Sequence, residues 1–105
     1  FGMPERDMIF FSRGRAYEMA PGDPASAEFA PPAPVNTSVE PFAWYPREPL
    51  LLSGWMIGDD LIRGKAAAVD VSYGKGKVLI FGFNVHNRAQ ARSTMRMFFN
   101  ALLYR

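Results

Sequence analysis

The apolar positions of this chain fall into short runs punctuated by glycine and proline, and their period lengthens toward the C-terminal end. The clearest pattern begins at Ala66. Val69 and Val71 alternate with Asp70 and Ser72, the period of two that marks a half-buried strand over residues 66–73. Gly74-Lys75-Gly76 then supplies a tight turn, with glycine available where φ must be positive. Residues 77–83 follow as a second strand. The run Val78-Leu79-Ile80-Phe81 is apolar on both faces, which predicts a central place in a sheet. The two strands make an antiparallel hairpin. From residue 87 to 104 the period becomes helical: Ala91, Met95, Phe98 and Leu102 recur at spacings of four, three and four, and Phe99 and Leu103 widen the stripe. Asn87 is the expected N-cap of this helix.

The front of the chain is less regular. Met8-Ile9-Phe10-Phe11, closed by Ser12-Arg13-Gly14, predicts a short buried strand, with a second short piece over residues 16–19. Residues 20–38 are a different material. Five of the fifteen positions from 20 to 34 are proline, each removing a backbone donor and restricting its neighbour, so a surface loop is expected there. Residues 39–45 regain strand character, and Pro41 argues for a sheet edge. Residues 50–58 are apolar and broken by Gly54, and the pattern leaves a strand and an irregular buried segment both open. Residues 59–65 form a polar turn with room for one helical turn. The sum is a mixed α/β (α+β) fold: a mostly antiparallel sheet with a long C-terminal helix packed on one face.

Composition narrows the function. At 105 residues the chain is one domain's worth, with a thin core. Its net charge of +2 gives no reason to expect a nucleic acid or an anionic membrane as partner. The absence of cysteine excludes disulfides, thiolate zinc sites and a cysteine nucleophile. No apolar run approaches the roughly 20 residues that span a bilayer. The opening residues, of mixed charge and without an initial methionine, do not read as a signal peptide, and they suggest a piece of a larger protein.

Candidate chemistry is sparse. His86, the one histidine, stands between the second hairpin strand and the helix, where α/β folds often place active-site groups. A metal centre needs three or four convergent ligands, and no orienting partner is evident, so a structural or surface histidine is the reading preferred. Asp59 and Asp60 are sequence neighbours that point apart, and a solvated turn is expected. Gly74-Lys75-Gly76-Lys77 joins two strands, whereas a phosphate loop joins a strand to a helix. Ser12, Ser53 and Ser72 lack the nucleophile-elbow context. Arg88, Arg92 and Arg96, spaced by four, form a basic stripe suited to solvent or to an interdomain contact. Trp44, Tyr45 and Trp55 fit a core or an interface, with stacking on a peptide or sugar as the alternative.

Five features of residues 50–104 carry a resemblance: Ser53-Gly54-Trp55 followed by GDDLIRGKAA, the hairpin VDVSYGKGKV, the strand IFGF, then HNRAQ, and a helix ending FFNALL. This stretch resembles the C-terminal end of a group of large bacterial zinc carboxypeptidases, in which the peptidase domain is followed by a domain resembling class I glutamine amidotransferases. The resemblance implies a secreted or periplasmic parent enzyme. The family's zinc ligands, a His-x-x-Glu pair with a distant His, have no counterpart here, and neither has the amidotransferase cysteine. The expectation is therefore a non-catalytic accessory domain, or a fragment of an amidotransferase-like domain, without cofactor. It would dock on the peptidase domain of the same parent chain or join copies through open sheet edges. A peptide- or carbohydrate-binding module using Trp44, Tyr45 and Trp55 is the alternative, and an enzyme built on His86 with a nearby carboxylate is the remaining rival.

Overall fold

A computed structural model of the chain describes residues 2–19 and 37–104. The predicted proline-rich loop lies outside the described residues up to position 36, and its last predicted residue, Ser38, already belongs to a strand. The fold consists of β1 (Ser38–Trp44), a 3₁₀ turn (Asp59–Leu61), β2 (Ala66–Tyr73), β3 (Gly76–Phe81), a second 3₁₀ turn (Asn87–Ala89) and α1 (Arg92–Leu103). A three-stranded antiparallel sheet with a C-terminal helix makes this a small mixed α+β fold. The chain divides into two compact units, Ala16–Ile80 and a second made of Phe1–Arg15 with Phe81–Arg105.

In the first unit the strand order is β1-β2-β3, with β1 and β2 antiparallel. Gly74 takes φ +61° in the hairpin turn. This is the positive φ that two-residue hairpin turns require to match strand twist, and glycine adopts it without steric cost. β1 is an edge strand as Pro41 predicts, and its register slips between Pro41 and Ala43 and again before Trp44. Central position falls to β2. Ala66, Ala67, Ala68 and Val69 are all buried, while Val78 and Ile80 of β3 are exposed. The expected central place of the apolar run 78–81 is thus corrected: β3 is an edge, and the small residues of β2 fit the crowded middle. β3 also ends at Phe81, two residues short of the predicted end.

Alternation sorts the sheet into two faces. Val39, Val69, Val71 and Ile80 line one of them. Asp70 stands on the other, where it meets Lys77 and has Glu40 as its cross-strand partner. Beyond β1 the ladder continues irregularly, with Tyr45 N–H donating to Lys65 O at 2.9 Å. Tyr17 makes an isolated antiparallel bridge to Ala66, which is what remains of the short piece predicted over residues 16–19.

In the second unit, residues 8–11 form no strand, correcting the predicted buried one, and Met8 and Phe10 are exposed. The segment is tied down at its end instead, where Arg15 N–H donates to Gly82 O at 2.6 Å. Among the described residues of this unit, Phe83 and Val85 are the buried large apolar ones. The helix begins five residues later than its predicted start at Asn87. Arg88 and Ala89 hold φ of 49° and 53°, in the left-handed region, and this breaks the chain away from helical geometry before Arg92. Ala91 is the N-cap residue and makes no side-chain cap, so Asn87 does not cap the helix.

Candidate docking surface

Among the described residues of the first unit, the segment 50–63 presents the most exposed apolar side chains. It is built around Asp59. Asp59 begins the 3₁₀ turn, and Arg63 lies four residues on, the spacing that brings side chains together on a helical turn. The Arg63 guanidinium donates to Asp59 Oδ2 through Nε at 3.0 Å and also through Nη2. Leu50 N–H donates to the same oxygen at 3.5 Å, a weaker contact. One carboxylate oxygen therefore joins both ends of the loop 50–59. The hydrogen bond from Arg63 holds the Asp59 carboxyl below its ordinary 3.8, against the opposing effect of burial.

The loop so closed is irregular, and of the two alternatives left open for residues 50–58 neither a strand nor burial is found. Leu52 is 74% exposed, Trp55 83% and Ile57 77%. Leu61, on the 3₁₀ turn itself, is exposed as well. These are side chains whose transfer from water is worth about 1.5–3 kcal/mol each for the aliphatic ones. They are carried on or beside a closed loop and are open to water.

The sheet face of the same unit carries a shallow apolar depression of about 480 Å³ lined by Tyr17, Met19, Val39, Val69, Val71 and Ile80. Glu18 stands at its margin and pairs with Lys65, whose ammonium holds the Glu18 carboxyl below its ordinary value by a hydrogen bond and by charge. On the opposite face, Asp70 Oδ1 is buried without a hydrogen-bond partner among the described residues, while Oδ2 lies 3.4 Å from Lys77 Nζ.

The residues singled out by sequence separate. Trp44 is exposed, but its neighbour Tyr45 is only 5% exposed, so the three aromatics do not form one exposed row. Burial, with the Tyr17 phenol nearby, pushes the Tyr45 hydroxyl up to about 12. His86 is exposed. Its backbone N–H donates to Asn84 Oδ1 at 3.2 Å, and its imidazole meets no carboxylate among the described residues. The predicted arginine stripe is shortened: Arg88 sits in the strained turn before the helix, which leaves Arg92 and Arg96 on α1. Arg96 Nη1 donates to Gly2 O. The predicted helix stripe is divided as well. Met95 and Phe98 are half-buried, whereas Phe99, Leu102 and Leu103 are exposed, and the buried helix residue is Thr94, whose hydroxyl donates to Ala91 O.

Sequence reasoning missed the pairing of Asp59 with Arg63, although their spacing of four was a usable signal. It also missed the exposure of the loop, for which apolar composition gives no signal. Among the described residues no group of three or more His, Asp or Glu could hold a metal ion. No helix among them is long and apolar enough to cross a membrane. Comparison of the chain with protein-family models, with curated proteins and with solved structures finds no match to any of them.

Proposed function

We propose that the chain is a non-catalytic accessory module that docks through its apolar loop onto another folded polypeptide. The observation that carries this is the exposure of Leu52, Trp55 and Ile57 on a loop whose two ends are held by a single carboxylate oxygen. A closed loop loses little freedom when it is covered, so its burial yields more net affinity than burial of a loose segment. Aromatic anchors flanked by aliphatic residues are also the usual energetic centre of protein interfaces. The core of the sheet, by contrast, is built largely from alanines. The larger apolar side chains are thus disproportionately on the outside, an arrangement suited to completion by a partner.

The likeness of residues 50–104 to the end of bacterial zinc carboxypeptidases supports a peptidase domain of the same parent chain as that partner. In this reading the present chain contributes no zinc ligand and no nucleophile, and the parent acts outside the cytoplasm. The test is titration calorimetry between the chain and the separately produced peptidase domain. Saturable binding with a negative heat-capacity change, lost in Trp55→Ala, is expected. Absence of binding, or binding indifferent to Trp55, would overturn the proposal.

The exposed indoles of Trp44 and Trp55 favour one second reading, contact with a peptide or glycan by stacking. Burial of Tyr45 removes one of its three aromatics. Saturable quenching of tryptophan fluorescence by an oligosaccharide or a short peptide would support that reading over domain docking.

A further inference from the structure

We infer that the exposed face of α1 is a docking surface for an acidic amphipathic helix of another polypeptide. Four residues carry the argument. Arg92, Arg96, Phe99 and Leu103 follow one another at spacings of four, three and four, which sets them in one line along the helix. All four are exposed, and Leu103 is 80% open to water. Thr94, the buried residue of the helix, lies on the opposite side.

The line is polarised along its length. Its first half is two guanidinium groups and its second half is apolar, over about 16 Å of helix. No aspartate or glutamate occurs anywhere in α1, and its first turn, where the helix dipole favours a carboxylate, holds arginine instead. Arg92 makes no ion pair among the described residues. Arg96 donates from Nη1 to Gly2 O, a neutral carbonyl that anchors the side chain and leaves its charge uncompensated.

These features select the occupant. The same helix of a second copy would bring arginine against arginine or against Leu103, with no carboxylate to meet either. A bilayer surface favours a helix that is apolar along the whole of one face with basic residues on the other, whereas here arginine and apolar side chains share one line. A partner helix lying parallel to α1, with glutamates in its early turns and leucines in its later ones, matches every position. Its carboxylates meet the guanidinium groups, its apolar residues cover Phe99 and Leu103, and its own dipole favours acid at that end. The apolar loop of the first unit plays no part, so this surface and the docking proposed above stand or fall apart.

The test is a proton–nitrogen NMR titration of the full chain with a synthetic helical peptide. Its exposed line carries Glu, Glu, Leu and Leu at the same spacings, and a twin peptide has lysine at both Glu positions. Saturable shifts are expected at the amides of residues 92–103, weakening as sodium chloride is added, with the lysine twin at least about tenfold weaker. Arg92→Glu should weaken binding about tenfold, because one attraction is lost and one repulsion gained. Leu103→Ala should weaken it at least about threefold. Both side chains are exposed, so the spectrum of the remaining residues should be preserved in each variant. Lys75→Gln, in the hairpin turn of the other unit, should change nothing. Shifts that do not saturate, equal binding of the lysine twin, or unaltered binding in both helix variants would overturn the surface. So would association with vesicles of phosphatidylglycerol and phosphatidylcholine that is lost in Arg92→Glu and Leu103→Ala, since that outcome assigns the face to a membrane.

Discussion

Replacement of Trp55 by alanine separates a docking residue from a core residue, because the two roles place the cost in different measurements. A tryptophan side chain can bury up to about 250 Å², and only about one sixth of Trp55 is covered within the chain, since it is 83% exposed. At roughly 25 cal/mol per Å², the covered sixth contributes at most about 1 kcal/mol to folding. Urea unfolding of Trp55→Ala should therefore give a stability within about 1 kcal/mol of the parent chain, with an unchanged m-value. The remaining five sixths would contribute up to about 5 kcal/mol if a partner covered them fully. Truncation of an interfacial anchor costs about 2–4 kcal/mol after ordering and desolvation are counted, or roughly thirty- to several-hundred-fold in affinity. Calorimetric titration against the peptidase domain reads that second quantity. A loss of more than about 2 kcal/mol in folding stability, with no change in binding, would show that Trp55 packs within the chain. The reasoning about the loop would then be wrong.

Three further outcomes follow from particular groups. Asp70 buries an unpartnered oxygen and faces Glu40 across the β1–β2 ladder. Asp70→Thr removes both costs and adds a β-branched residue to the central strand, so it should raise stability by about 1 kcal/mol in thermal or urea unfolding. Asp59 has its carboxyl pKa lowered in the folded chain, so its contribution is complete above the ordinary value of 3.8 and is lost as pH falls through the lowered one. Acidification should then release the loop in that strongly acid window, seen as a change in Trp55 fluorescence, and Asp59→Asn should show the released signal already at neutral pH. Tyr45 behaves in the opposite sense: a raised pKa means stability fully present below pH 10.0 and lost as pH climbs through about 12. The tyrosinate absorbance should include a step near pH 12 that is missing in Tyr45→Phe.

The parts of this fold that could be read from sequence are those where a local rule and the tertiary environment agree. Val69 and Val71 alternate with polar residues, Gly74 occupies the turn position that needs positive φ, and Pro41 keeps its strand at an edge; each rule acts within a few residues, and each is met. The failures arise where the pattern was asked to report a neighbour it does not encode. Val78-Leu79-Ile80-Phe81 is apolar on both faces, which says that the strand can be buried twice over, not that this chain supplies the covering layer. Central place went to the alanine-rich β2, because strand order depends on which edges find partners and not on which strand is most apolar. The same holds for the helix. Its period fixed a stripe, but the positive φ at Arg88 and Ala89 set its start, and Leu102 and Leu103 remain in contact with water. It holds again for Leu52, Trp55 and Ile57, which by composition alone belong in a core. Periodicity reports the surface a segment is able to bury. Where that surface exceeds what the chain itself covers, the excess stays in water, and in this protein it is divided among the loop closed by Asp59, the strands and the C-terminal end of the helix.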